Sequence, residues 1–149
     1  MSTEDEVVTY AEEAHRLIWS PGTDVSEQTK KSQRVCGVWQ DAVIERFGSR
    51  FAAEVSLNES GPAQKIDLLD TRNRVAYELK SSPNNVHMEI YRDVFKALVF
   101  NERNPTRRIK TLVFLAPAAG IRKLGATFPK DVQTIAARLG LSLTLREIT

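Results

Sequence analysis

Hydrophobic and polar residues alternate in two neighbouring stretches near the middle of the chain. The stretches are 65–70 and 75–81, and the polar residues 71–74 separate them. Alternation combined with Val, Ile and Tyr is typical of β-strands, because every second side chain of a strand points to the same face. The pattern therefore predicts a β-hairpin.

The turn of this hairpin sets which residues face each other. We expect a two-residue loop at 72–73, with Asn73 in the positive-φ region that this residue type tolerates. Counting outward then puts Asp67 directly opposite Glu78, with Cβ atoms about 4.5–5.5 Å apart. Lys80 lies two residues beyond Glu78 and so points to the same face. The hairpin thus gathers two carboxylates and one ammonium group.

This combination suits a hard divalent cation. Mg²⁺ prefers oxygen ligands and usually keeps waters and substrate phosphates in its remaining positions. A metal-bound water is a better nucleophile at neutral pH, and a nearby ammonium group can stabilise charge on a phosphodiester. The alternative is a solvated surface hairpin with cross-strand ion pairs, which contribute little to stability.

The rest of the chain predicts an α/β fold. Apolar spacing predicts a helix to about residue 19, a second from Asp24 or Ser26 to a cap at Gly48, a third over 85–103 and a last over 129–140. Strands are predicted over 51–58, 65–70, 75–81, 111–115 and 141–148, and 116–120 is predicted to be a loop before a short helical piece. The order α-α-β-β-β-α-β-α-β implies a central mixed β-sheet of about five strands flanked by helices. In the third helix, Met88 and Tyr91 are predicted to be core residues rather than a base-stacking platform.

Composition narrows the function classes. The 149 residues fit one domain, and the net charge of +2 permits nucleic-acid binding without demanding it. The single cysteine, Cys36, excludes an internal disulfide and is predicted to be buried filler in a reducing compartment. With only His15 and His87 besides it, a Cys/His zinc site is excluded. We expect no signal peptide and no membrane span, and therefore a cytoplasmic protein.

Two basic clusters could contact a phosphate backbone. They are Lys30, Lys31 and Arg34 in the second helix, and Arg107 and Arg108 within the run that precedes the fourth strand. Each cluster is equally compatible with an ordinary solvated surface, and composition leaves both readings open.

The hairpin resembles a known family. Asp67, followed by Tyr77-Glu78-Leu79-Lys80-Ser81 on the next strand and then by a helix and a buried strand, resembles the PD-(D/E)XK nuclease superfamily, and small type II restriction enzymes in particular. The resemblance covers 32–116, and Ile66 stands where the motif name has proline. It implies a restriction-endonuclease-like fold, with 1–149 as one domain: an N-terminal helix (1–22), a catalytic core (32–116), and a C-terminal helix and strand (117–149).

The resemblance also implies roles for the hairpin residues. Asp67 and Glu78 would hold the metal ion, the backbone carbonyl of Leu79 would complete its shell, and Lys80 would position the attacking water. The family often carries a further acid on its first core helix, in a pattern like R-x-x-G-x-x-x-E. Arg34 to Asp41 is similar, with Asp in place of Glu, so Asp41 is the candidate there and Glu45 the reserve.

The function so implied is a Mg²⁺-dependent endodeoxyribonuclease, with Mn²⁺ as a substitute, resembling a prokaryotic type II restriction enzyme. A repair or branched-DNA nuclease is an alternative, as is a non-catalytic module that binds DNA or protein. Because one chain carries one site, cutting both strands calls for a homodimer, with the first or third helix as the interface.

Overall fold

A five-stranded mixed sheet lies between two layers of helices. The computed structural model describes residues 1–19, 24–57, 64–82, 86–124 and 128–149. The helices are α1 (Thr3–Ile18), α2 (Val25–Phe47), α3 (Val86–Arg103), α4 (Ala118–Lys123) and α5 (Lys130–Arg138), and the strands are β1 (Phe51–Ser56), β2 (Lys65–Asp70), β3 (Val75–Leu79), β4 (Thr111–Pro117) and β5 (Ser142–Ile148). The predicted α/β class, with a mixed sheet of five strands flanked by helices, is confirmed.

The strands lie side by side in chain order, β1-β2-β3-β4-β5. The first three form an antiparallel meander, whereas β3, β4 and β5 run parallel to one another. The parallel steps need helical crossovers, which α3 and the pair α4–α5 provide. The continuous apolar run of β4 is therefore central and buried on both faces.

Alternate side chains of β4 enter two separate cores. Val113 and Leu115 pack with Trp39 against the layer formed by α1 and α2. Phe114 packs with Ile90 on the opposite face, under α3, α4 and α5. Strand β3 is parallel to β4 and next to it, so its side chains alternate in the same way. Glu78 is the register partner of Phe114 and therefore points to the α3 side of the sheet.

Side chains and a glycine fix the ends of the first two helices. Ser2, rather than Thr3, caps α1 by accepting a hydrogen bond from the Asp5 backbone. Asp24 caps α2, as one of the two predicted starts, and Gly48 ends it with φ of 66°.

The hairpin has the predicted register but a different turn. Leu68 pairs with Tyr77, and continuing this register outward sets position 67 across from position 78. The connection spans four residues, 71–74, and the positive φ of 58° falls on Arg74 rather than on Asn73, so the predicted two-residue loop is wrong.

Several other predictions need correction. Strand β1 ends at Ser56 and strand β3 at Leu79, both earlier than predicted. Helix α4 begins where a loop was expected, since it follows β4 directly. Met88 and Tyr91 are 61% and 50% exposed, because the buried stripe of α3 lies on its other side. The start of the third helix, predicted at residue 85, lies outside the described residues, as do 20–22 and 59–62, where the sequence predicts turns.

The described helices do not have the character of membrane spans. Among the described residues, no helix combines the length and the apolar character needed to cross a bilayer.

Candidate active site

A cavity of about 270 Å³ opens where strands β2 and β3 stop pairing, between helices α2 and α3. The last backbone pair of the two strands is Leu68 with Tyr77, so Asp67 and Glu78 lie directly beyond it. The cavity, called the acid cavity below, is lined by Ser32, Gln33, Cys36, Glu54, Asp67, Glu78, Leu79, Lys80, Ser81, Glu89, Arg92, Asp93 and Lys96.

The carboxylate of Asp67 takes the place of a backbone acceptor at this point. Its Oδ2 accepts a hydrogen bond of 3.0 Å from the backbone N–H of Leu79. The next residue, Lys80, donates its backbone N–H to the carbonyl oxygen of Leu115 on β4 instead. The end of β3 is therefore held by β4 on one side and by a side chain of β2 on the other.

Asp67 and Glu78, called the acid pair, carry strongly perturbed acidities. Burial raises the pKa of both carboxyl groups, and the neighbouring carboxylates Asp67 and Asp93 raise the pKa of Glu78 further. A side-chain hydrogen bond links the two groups, and it lowers the pKa of Asp67 while raising that of Glu78.

Lys80 lines the same cavity as the acid pair. Its Nζ lies 3.4 Å from Oε1 of Glu89 on α3, and its side chain is about one quarter exposed. Glu89 also pairs with Arg92 one turn further along the helix. The structure thus brings together the three hairpin residues that the sequence singled out, with Lys80 near the opening and Glu78 at the base.

A second lysine, which the sequence analysis missed, contacts Glu78 directly. Lys96 of α3 has its Nζ 2.9 Å from Oε1 of Glu78 and 3.0 Å from Oδ1 of Asp93. Burial raises the pKa of Asp93 to about 6, although Lys96 opposes this rise. The available signal was two charged residues, three apart, within the buried stripe that contains Ile90 and Val94.

Strand β1 adds a third carboxylate in a strained conformation. Glu54 has a φ of 51°, unusual for a non-glycine residue within a strand, and it lines the cavity. Gln40 of α2 joins β1 to β2, because its amide donates to the Asp67 carbonyl oxygen at 2.9 Å and to Glu54 Oε1 at 3.4 Å. Sequence periodicity alone does not mark either residue.

The predicted helix acids do not reach the cavity. Asp41 and Glu45 are exposed and are not among the cavity-lining residues. The stripe of α2 that faces the sheet edge runs through Ser32, Cys36 and Gln40 at four-residue spacing, and Asp41 follows Gln40 by 100° around the helix. The motif-like match thus picked the residue next to the one that points inward.

Cys36 was predicted to be buried filler, whereas it is half-buried at the wall of the acid cavity. It is a free cysteine that lines the cavity, and burial together with the nearby carboxylates Asp67, Glu54 and Glu78 raises its pKa. A thiol held in its protonated form is a poor nucleophile.

The two basic clusters lie at opposite ends of the sheet. Lys30 and Arg34 are exposed and Lys31 is half-buried on the part of α2 that borders the cavity. Arg107 and Arg108 precede β4 at the end where the hairpin turns, since the backbone N–H of Lys110 bonds the Arg74 carbonyl. Arg108 there donates to the Leu139 carbonyl, so this second cluster is remote from the acid pair.

The acid pair could supply two protein ligands to Mg²⁺, which is a small number. Within the described ranges, no group of three or more His, Cys, Asp or Glu side chains converges to hold a metal ion. Mg²⁺ commonly takes only one or two carboxylates, with waters and phosphate oxygens completing its octahedron. Oε1 of Glu78 is buried, and Lys96 Nζ lies 2.9 Å from it, so this oxygen is a candidate ligand that is already paired with a cation.

The chain was also compared with known proteins. No family model, no curated protein and no solved structure matches it.

Proposed function

We propose that this protein is a Mg²⁺-dependent endonuclease that hydrolyses DNA phosphodiester bonds at the acid cavity. The observation that carries the proposal is the contact between two carboxyl groups, Glu78 buried and Asp67 half-buried, at the point where their strands separate, with Lys80 in the same cavity. Buried acids that repel each other are costly unless a cation offsets them, so such a pair is typical of a cation site.

In this mechanism the strands supply rigidity and the side chains supply charge. Asp67 and Glu78 would hold the divalent cation, which when bound supplies an acidified water and a counter-charge for the phosphate. The Leu79 N–H fixes the orientation of Asp67, and its backbone carbonyl is the remaining candidate ligand. Lys80, with Glu89 beside its ammonium group, would orient the water and stabilise the developing negative charge.

The surroundings of the cavity favour a polyanionic substrate. Lys30 and Arg34 lie on α2 along one side, and Arg92 lines the cavity from α3 on the other. Cations placed on both sides of a cleft can grip a phosphate backbone that passes over it. Arg107 and Arg108 are too far from the acids to share this role, and we leave them out of the proposed interface.

The topology supports the family resemblance seen in the sequence. An antiparallel three-strand meander followed by a helix and a parallel fourth strand corresponds to the α-β-β-β-α-β core order of the PD-(D/E)XK superfamily. On this basis we infer a restriction-endonuclease-like fold. Restriction is the first assignment, and repair or branched-DNA cleavage is the other role that the same site would support.

Cleavage assays test the proposal. The parent protein is incubated with plain duplex, flap and four-way-junction DNA, with Mg²⁺, with Mn²⁺ or with EDTA. We expect cleavage only with a divalent cation, and a loss of at least about a hundredfold for Glu78→Gln and for Lys80→Ala. Glu102→Gln, an exposed acid near the end of α3, is the matched control and should cut like the parent.

DNA binding is measured alongside cleavage. Glu78→Gln should retain binding, because the substitution leaves the flanking lysines and arginines in place. A parent that binds DNA but never cuts any of the three substrates would contradict the nuclease proposal and assign the protein as a binding module. The preferred substrate separates restriction from repair.

We further propose a homodimer that docks through α3. Met88, Tyr91 and Phe95 form an outward apolar stripe, and Phe95 is 67% exposed. The neighbouring face of the same helix, with Glu89, Arg92 and Lys96, borders the acid cavity, so a second copy on this stripe would bring two sites close together, as double-strand cutting requires. Tyr91→Ser with Phe95→Ser should produce a monomer in sedimentation, whereas Leu17→Ser on α1, the other candidate helix, should not.

A further inference from the structure

Lys96 is held in the acid cavity by three oxygen atoms. Its Nζ lies 2.7 Å from the backbone carbonyl oxygen of Lys65, 2.9 Å from Oε1 of Glu78 and 3.0 Å from Oδ1 of Asp93. The side chain is only 7% exposed. The Lys65 carbonyl oxygen accepts a hydrogen bond from this ammonium group, and the two carboxylate oxygens form ion pairs with it.

The other cations of the cavity are engaged elsewhere. Lys80 and Arg92 both pair with Glu89 near the opening. Among the residues that the structure describes, Lys96 is the only cation within ion-pair distance of Glu78. The cavity lining carries five carboxylates against three cations, so it remains short of positive charge even with Lys96 in place.

We propose that Lys96 is the built-in counter-cation of the metal-free site, and that it competes with the divalent cation for Glu78. This inference rests on the proposed function. Oε1 of Glu78 faces Lys96, and a metal ion that takes this oxygen as a ligand must repel the ammonium group. Binding of the metal ion therefore includes the release of Lys96 from Glu78, and Lys96 sets how tightly the site holds the metal.

Lys96 keeps other partners when it is released from Glu78. Asp93 lies one helical turn earlier on α3, and the Lys65 carbonyl belongs to β2, so both partners remain when Glu78 turns to a metal ion. Four flexible methylene groups let the ammonium group shift while its charge stays paired. Lys96 is thus a positioning residue of the metal site rather than a group that touches the phosphate.

Two substitutions should move metal affinity in opposite directions. Lys96→Met removes the competitor, and we expect the protein to bind Mn²⁺ roughly ten- to hundredfold more tightly than the parent. Asp93→Asn removes the partner that draws Lys96 away from Glu78, so Mn²⁺ should bind several-fold more weakly. Titration calorimetry with Mn²⁺ on EDTA-treated, dialysed protein measures both without a substrate.

The opposite signs separate competition from general loosening of the site, which would weaken binding in both variants. Lys110→Met removes the same charge from an exposed position at the far end of the sheet, and its affinity should equal that of the parent. Unchanged or weaker binding by folded Lys96→Met overturns the inference. If that variant does not fold, Asp93→Asn decides, and unchanged or tighter binding overturns it.

The result also separates this inference from the proposed function. If the parent binds Mn²⁺ and cuts DNA, and Lys96→Met binds Mn²⁺ as tightly as the parent does, then the counter-cation role of Lys96 is wrong and the nuclease proposal stands. A parent that binds no Mn²⁺ at either acid overturns both.

Discussion

Strand β2 carries one aspartate toward each end, and the two have opposite surroundings: Asp70 is buried, whereas Asp67 is half-buried. Asp70, at the hairpin turn, receives two hydrogen bonds from Arg50, at 3.0 and 2.7 Å, and one of 3.1 Å from each of the Arg72 and Asn73 backbones. Asp67, three residues earlier, accepts one backbone N–H and otherwise faces Glu78, another acid.

The difference indicates which acid serves the fold and which serves chemistry. An isolated buried charge is costly, and Asp70 meets that cost with a full set of donors. The acid pair is given too few donors and an additional negative neighbour, which a protein selected for stability alone would avoid. A cation would supply the positive charge that the acid pair lacks. At Asp70 the four hydrogen-bond donors already occupy the carboxylate, so no cation is needed there.

The largest expected effect compares these two ends directly. Asp70→Asn should lower the free energy of unfolding by about 3 kcal/mol, because it breaks the buried pair with Arg50. Glu78→Gln should change it by less than about 1 kcal/mol, because the substitution removes the repulsion from Asp67 and Asp93 and leaves Lys96 paired with Asp93 and the Lys65 carbonyl. Urea unfolding in EDTA at pH 7 measures both. Equal costs at the two positions would contradict the comparison.

The sequence predicted the acid pair because strand register is locally encoded. Leu68 and Tyr77 must both face a core, and a shift of one residue would turn both to the wrong side. The register therefore survived an error in the turn, where Arg74 rather than Asn73 takes the positive φ.

The rest of the cavity could not be predicted in this way. Lys96, Glu54 and Gln40 come from three different elements, and only tertiary packing decides that they meet. The residues of a helix that face inward can be predicted only if the orientation of the helix about its axis is known. An error of one residue led to Asp41 being predicted at the site instead of Gln40. For Met88 and Tyr91, an amphipathic pattern indicated that α3 has an apolar stripe but not that it has two, one buried and one exposed.

The next effect is a pH dependence at the cavity end. The pKa of Asp93 is raised from 3.8 to about 6 in the folded protein, chiefly by burial. The folded state therefore binds this proton more tightly than the unfolded chain, and the associated stability is lost as the pH rises from about 4 to about 6. Two pKa units correspond to about 3 kcal/mol as an upper expectation, reduced where neighbouring acids titrate together.

Asp93→Asn removes this ionisation and isolates its contribution. The stability of the variant relative to the parent should increase between pH 4 and pH 6 and stay constant above, in urea unfolding with EDTA present. A flat difference for Asp93→Asn would mean that Lys96 offsets the burial of this acid completely.

The smallest effect tests backbone strain at the two ends. Glu54 beside the cavity and Arg74 in the turn both have positive φ, 51° and 58°. A left-handed conformation costs a non-glycine residue about 1–2 kcal/mol, and the greater freedom of glycine when unfolded cancels part of the gain. Replacing either residue by glycine should therefore stabilise the protein by roughly 0.5–1 kcal/mol.

The two replacements should differ in what else they change. Glu54→Gly also deletes a carboxylate that raises the pKa of Asp67, so Mn²⁺ binding should weaken, whereas Arg74→Gly should leave the affinity of the metal site unaltered. Thermal unfolding and calorimetry on the same samples report both quantities. If both variants gain stability and neither loses affinity for Mn²⁺, the strained backbone at Glu54 serves only the geometry of strand β1. If only Glu54→Gly loses affinity, then the strain at this end holds a side chain where a cation would need it, while the strain at the turn serves only to close the hairpin.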